Sequence, residues 1–167
     1  MQYRLLALLV VLGAASIASG CGAARRPPRP FPGPAPAAAA PASTAAGEGL
    51  AALALALQGA PYANGGSDPT GFDCSGLVHY VFGQAGVPLP RSVRELALAG
   101  REVADPRAGD LVFFAIDGAT VSHVGIATGP DAFVHAPSSR GVVRVERLSA
   151  AYWARRYAFT RRIASLE

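Results

Sequence analysis

The apolar positions of this chain change period along its length. Residues 5–12 form one unbroken apolar run, and residues 22–46, mostly alanine and proline, show no period at all. From residue 50 the spacing becomes helical. Leu50, Leu53 and Leu57 recur on one side, and Gly59 and Pro61 stop the pattern, which predicts a helix over 50–58. Residues 60–73 read as loop. Leu77, Val78, Val81, Phe82 and Ala85 then mark the apolar face of a helix over 75–85, closed by Gly86 and Pro88. A shorter helix is expected over 91–99. Beyond Pro106 the period shortens. Apolar runs bounded by Gly, Pro, Asp and Ser predict strands at 110–116, 122–128, 132–136, 141–146 and 157–163. Helices first and strands afterwards imply an α+β domain, its N-terminal helices packed on an antiparallel sheet of about five strands.

Charge narrows the class. The chain has 167 residues and a formal net charge of +4, with 15 Lys+Arg, all of them Arg, against 11 Asp+Glu. Arg4, Arg25, Arg26 and Arg29 precede residue 47 and every acid follows it, so the region from residue 47 onward is formally neutral. That removes the electrostatic case for nucleic-acid binding. Residues 47–167 make one ordinary domain, large enough to bury a core without disulfides.

The N-terminus reads as an export signal over residues 1–20. Arg4 supplies the positive start, and the apolar run is too short for a bilayer, which needs about 20 residues. Ile17, Ala18, Ser19 and Gly20 before Cys21 resemble the lipobox of bacterial lipoproteins, which implies cleavage before Cys21, its lipidation and membrane anchoring. An ordinary signal peptide that leaves Cys21 as a free thiol is the plainer alternative. Residues 21–46 hold seven of the 14 prolines and read as an extended tether with a reach of at most roughly 80 Å. With Cys21 lipidated, Cys74 has no disulfide partner; the alternative is a bridge between the two cysteines.

Cys74 opens the second helix, where backbone N–H groups favour an anion, so its thiol is expected below the free-cysteine pKa of about 8.5. A small buried structural cysteine is the bland reading. Of the three histidines, His79 lies off the apolar face of that helix and reads as a solvated surface residue. His123 and His135 lie on consecutive strands joined by a short turn. With Gly129 at its centre, His123 stands opposite His135 on one face, and Gly125 on that face leaves room. Cys74 with two histidines could also supply three metal ligands. The helix-start thiol fits nucleophile chemistry better.

Six motifs occur in order: residues 60–66 (Ala-Pro-Tyr-Ala-Asn-Gly-Gly), 71–78 (Gly-Phe-Asp-Cys-Ser-Gly-Leu-Val), 89–92 (Leu-Pro-Arg-Ser), 108–114 (Ala-Gly-Asp-Leu-Val-Phe-Phe), 122–126 (Ser-His-Val-Gly-Ile) and 133–136 (Phe-Val-His-Ala). Together they resemble the NlpC/p-sixty cell-wall cysteine peptidases, a papain-like group of bacterial peptidoglycan hydrolases. The resemblance runs on through residues 152–157 (Tyr-Trp-Ala-Arg-Arg-Tyr). It implies Cys74 as nucleophile, His123 as base and His135 as the polar residue that orients His123. It implies Tyr62 as an oxyanion donor, and Asp73, Ser75 and Arg91 as groove-lining residues; Asp73 also reads as a helix N-cap. Asp110 matches a turn and is structural. Asn64 stands where the family often carries an aromatic, and Leu96 where it often carries Gln.

The resemblance further implies a thiol endopeptidase without metal or organic cofactor. Its partner would be the peptidoglycan stem peptide, cut beside meso-diaminopimelate. The lipobox implies a membrane-anchored lipoprotein, sorted to an outer membrane facing the periplasm. Competing readings are a non-catalytic cell-wall-binding lipoprotein and a thiol amidase or transpeptidase on the same architecture.

Overall fold

The computed structural model describes residues 42–138 and 141–163. The expected signal segment, Cys21 and most of the expected tether lie outside them. The first helix, α1 (Ala42–Ala56), starts well before residue 50. Alanine is the best helix former, so an Ala-rich approach that reads as tether also propagates a helix. Its buried stripe is Gly47, Leu50, Ala51 and Ala54, at the spacing of one helix face, and Leu53 points outward. The expected loop over 60–73 contains a two-stranded ribbon, β1 (Ser67–Asp68) and β2 (Gly71–Phe72), with bridges from Tyr62 to Phe72 and from Pro61 to Val142.

Helix α2 (Cys74–Gln84) begins one residue before the expected start, with Asp73 as its N-cap. Leu77, Val78, Val81 and Phe82 are fully buried on its inner face. Gly86, at φ +76°, follows its end. The helix expected over 91–99 is a single turn, α3 (Val93–Leu96). It is held by Ser92, whose Oγ accepts from the Glu95 N–H and donates to the Glu95 carboxylate.

The main sheet has six antiparallel strands: β3 (Arg101–Val103), β4 (Leu111–Phe114), β5 (His123–Ala127), β6 (Ala132–His135), β7 (Arg144–Arg147) and β8 (Tyr157–Arg162). Their spatial order is β3-β8-β4-β5-β6-β7. The sixth is β3, an edge strand whose two charged residues out of three give no hydrophobic pattern. A one-turn helix, α4 (Ala151–Ala154), precedes β8 and was likewise not expected.

The central strands read as continuous apolar runs because both faces are covered. Leu111, Phe113, Val124, Ile126 and Val134 pack in one core with Leu50, Ala54, Leu77, Val78 and Val81 of the helices. Val112, Phe114, Ala127 and Phe133 form a second core with Trp153 of α4. Asp110, 2% exposed, accepts from Arg162 Nε and Nη2 at 2.8 and 2.7 Å and from the Arg107 N–H at 2.8 Å. This buried fork closes the 105–110 turn onto β8. It confirms the structural reading of Asp110, and breaking such a pair costs about 3–5 kcal/mol. Among the described residues, no helix is long and apolar enough to cross a membrane.

Candidate active site

The first turn of α2 is fixed by its N-cap. Asp73 Oδ1 accepts from the Gly76 N–H at 2.7 Å, and Oδ2 accepts from the Gly65 N–H at 3.0 Å. Arg91 grips the same carboxylate with both ends of its fork, Nη1 to Oδ1 at 2.9 Å and Nη2 to Oδ2 at 2.8 Å. Nη1 also donates to Ser75 Oγ at 2.7 Å, and Nη2 to the Gly66 carbonyl at 3.1 Å. Burial pushes the Asp73 carboxyl up, but the Arg91 hydrogen bonds and the Gly76 amide outweigh it and hold the group below the usual carboxylate range. Gly76 is needed here, because a Cβ would stand 1.9 Å from the Gly66 carbonyl oxygen. The structure thus brings Asp73, Ser75 and Arg91 together and bonds them to one another. They line an open cleft of about 580 Å³ together with Ser92 and Glu95.

Cys74 is half-buried at the start of α2. Burial pushes its thiol up. The Val124 amide, and those of Ser75 and Cys74, favour the thiolate without overcoming this, and the Asp73 charge opposes it. The expected lowering is therefore reversed: the amides of the helix start act as anticipated, but removing the sulfur from water is the larger effect. The Val124 amide ties the sulfur to β5 at the residue after His123. Tyr62 lies close enough for the charges of Cys74 and Asp73 to act on its phenol, which burial chiefly raises.

The two histidines meet on one face of the sheet. The observed register pairs Ile126 with Val134 and Ala127 with Phe133, so the turn is centred on residue 130 rather than 129. His123 is accordingly displaced by two residues from the position opposite His135. A shift of two keeps the same face, whereas a shift of one would not. The rings span this diagonal, His123 Nε2 lying 2.8 Å from His135 Nδ1. Gly125 makes the span possible. A Cβ there would stand 2.7 Å from the Phe133 ring, 2.9 Å from the Val134 carbonyl oxygen and 3.3 Å from His135 Cβ.

Both rings are held neutral. Burial lowers His123 from 6.5 to about 4. Burial, then the charges of His123 and of Arg144 directly opposite on β7, push His135 lower still. Their facing nitrogens are spent on each other, which leaves His123 Nδ1 for chemistry. No three His, Cys, Asp or Glu side chains among the described residues cluster as a metal site.

Some side chains near the site were not anticipated. His79 is exposed but not merely solvated: its Nδ1 donates to the Leu89 carbonyl at 2.8 Å, tying α2 to the segment that carries Arg91. Leu96 is fully buried in the core rather than in the cleft. Trp153 stacks on His123, with centroids 5.6 Å apart and planes 24° apart, and meets His135 at 4.7 Å and 85°. Its only signal in the sequence was its place in the closing motif.

Comparison with known proteins identifies the family. Residues 59–162 match the NlpC/P60 family. Over 111 residues the chain is 43% identical to the murein DD-endopeptidase MepS/murein LD-carboxypeptidase of Escherichia coli K12, covering 65% of this chain and 58% of that relative's length. It superposes on an NlpC/P60 family protein from Bacillus cereus with a TM-score of 0.66 at 30% identity, covering 70% of this chain and 39% of that one. It also superposes on the peptidoglycan hydrolase RipB of Mycobacterium tuberculosis, with a TM-score of 0.61 at 32% identity, covering 72% of this chain and 66% of that one. With the family's match spanning the ribbon, α2 and the sheet through β8, the chain belongs to the NlpC/P60 family.

Proposed function

We propose that this protein is a thiol endopeptidase that cleaves amide bonds in peptidoglycan stem peptides or cross-links beside meso-diaminopimelate. The observation that carries the mechanism is the 2.8 Å bond between His123 Nε2 and His135 Nδ1, on the strand whose Val124 amide meets the Cys74 sulfur. The murein endopeptidase and peptidoglycan hydrolase names of the relatives supply the substrate class.

In the working tautomer His123 carries its proton on Nε2, donates it to His135 Nδ1, and presents a bare Nδ1. The thiol proton passes to that nitrogen as the sulfur attacks the scissile carbonyl carbon. The resting pair is neutral, so the charges form together at attack. The Cys74 N–H and the Tyr62 hydroxyl donate to the oxyanion, a contact of the kind worth about 3 kcal/mol. Collapse of the tetrahedral intermediate breaks the C–N bond, and His123 gives its proton to the departing amine. Water, deprotonated by His123, then releases the acyl group and restores the thiol. Asp73, Ser75 and Arg91 form a preset wall of the substrate cleft. The Asp73 lone pairs are already occupied, so substrate polar groups are offered the remaining capacity of Ser75 and Arg91.

The reading extends to the N-terminal region. Residues 1–20 are a secretory signal, Cys21 is lipidated, and the residues between Cys21 and the start of α1 at Ala42 connect the anchor to the catalytic domain, which acts outside the cytoplasm and from an outer membrane where one exists. Replacing Cys21 by Ser should release the protein from membranes with catalysis intact; membrane fractionation unchanged from wild type would overturn the anchor.

The activity is tested by digesting purified peptidoglycan and weighing the muropeptide products. Wild type should yield stem peptides cut beside meso-diaminopimelate and Cys74→Ala none. Intact stems, or cleavage confined to the glycan, would refute the reading.

A further inference from the structure

The two rings of the histidine pair share a single hydrogen bond. His135 is fully buried, and its Nε2 has no hydrogen-bond partner among the described residues. One bond, to His123, therefore fixes one side of the ring, and a single hydrogen bond leaves rotation about its own axis unopposed. Packing must supply the rest. The His135 ring meets Phe133 at 4.9 Å and Trp153 at 4.7 Å, the latter nearly perpendicular. His123 likewise has its ring plane set by the near-parallel indole of Trp153. Trp153 thus contacts both imidazoles, one by its face and one at right angles, and it is itself wedged against Phe114 and Phe133 at 4.8 and 5.2 Å.

Local structure alone does not place this indole. Helix α4 has one turn and no side-chain cap. The segment before it is instead clamped to the turn between β5 and β6. Asp131 accepts from Arg147 Nε, the Ser149 N–H and Ser149 Oγ, each at 2.8 Å. The hairpin that carries both histidines is thereby bonded to the segment that carries Trp153.

We infer that Trp153 is the positioning residue of the histidine pair, fixing both imidazole planes by ring contact and sealing them from water, with the Asp131 clamp holding it in place. The inference rests on the reading of His123 as the base. The charged group facing the pair is Arg144 of β7, opposite His135. On α4 itself the ionisable neighbour of the indole is Tyr152, at 4.9 Å, and Arg156, after α4, is turned onto the Tyr152 ring at 3.8 Å. Loss of the indole therefore changes packing and water access while leaving Arg144 in place.

The test uses the fact that Trp153 is the only tryptophan in the chain. Its fluorescence should titrate with His123, because a protonated imidazole stacked on an indole quenches it. The midpoint should coincide with the acid limb of kcat/KM, and the transition should vanish in His123→Gln while a far-ultraviolet circular dichroism signal stays constant. Trp153→Ala should lower kcat by roughly 10- to 100-fold with little change in KM, the scale of a small misplacement of catalytic groups. It should also move the acid limb toward the ordinary histidine range. Trp153→Phe should recover most of both, and Asp131→Ala should give a weaker version. Should Trp153→Ala fail to fold, the wild-type fluorescence titration and Trp153→Phe still decide. A Trp153→Ala enzyme with wild-type kcat and pH profile, or fluorescence indifferent to His123→Gln, would overturn the inference. Loss of activity in Trp153→Ala beside an active His123→Ala would instead refute the base assignment.

Discussion

The two halves of the site are built from different materials. The nucleophile half, around Cys74, is held by hydrogen bonds and one ion pair: Asp73 receives five donors from four residues, and Arg91 spends both ends of its fork on that wall. The base half, around His123 and His135, has one internal hydrogen bond and is otherwise a stack of rings. The difference follows from what each half must do. A nucleophile at a helix start needs the amides aimed at it and the helix kept from fraying, which polar caps achieve. A general base needs a fixed tautomer and a neutral resting state, which burial achieves, at the cost of leaving a nitrogen of His135 unbonded.

The largest effects should come from breaking either half at its reactive atom. Cys74→Ala should abolish muropeptide hydrolysis with the thermal midpoint nearly unchanged. His123→Ala should lower kcat by roughly 10²- to 10⁴-fold in the same initial-rate assay. Tyr62→Phe sharpens the assignment on the nucleophile side: one oxyanion donor is lost and one remains, so turnover should fall by roughly 10²-fold and stay measurable.

Gly125→Ala probes the base half through packing alone. The added methyl meets the Phe133 ring and the Val134 carbonyl, and the latter is backbone that cannot step aside. A loss of about 1–3 kcal/mol in denaturant unfolding is expected, together with reduced kcat. The corresponding substitution on the other half, Ser75→Ala, removes two contacts from a network that keeps its other bonds and should cost less.

The base half also carries a pH dependence of stability. His123 titrates at about 4 in the fold against 6.5 ordinarily. Between these values the unfolded chain binds a proton that the folded one refuses. Stability is therefore fully present above pH 6.5 and falls as pH drops toward 4, by about 3 kcal/mol from this group, with His135 acting in the same direction. Urea midpoints from pH 7 to 4 should show this slope, and His123→Gln should reduce it while the share of His135 remains.

The same division explains what the sequence made legible. Asp73, Cys74 and the apolar face of α2 lie within a dozen consecutive residues, so the cap, the thiol and the helix could be read by spacing. The histidines could be placed on one face because parity survives a register error of two, and the expected centre at Gly129 was off by that much in pairing. Trp153 could not be placed, because nothing local says which ring a one-turn helix will deliver to a sheet face. The thiol's direction was misjudged for a related reason. Helix-start amides are visible in sequence, but burial of the sulfur is a property of the packed whole. The start of α1 was obscured because alanine serves tether and helix alike, and β3 because two of its three residues are charged.

The proposed mechanism requires His123 to rest neutral, with its proton on Nε2 shared with His135 and Nδ1 free to take the thiol proton. Nitrogen-15 NMR of histidine-labelled protein at pH 7, assigned with His79→Gln and His135→Gln variants, reads this directly. The account predicts a His123 Nε2–H resonance, an unprotonated Nδ1, and no change in either until the pH falls toward 4. A His123 ring carrying its proton on Nδ1, or protonated on both nitrogens at pH 7, would contradict it.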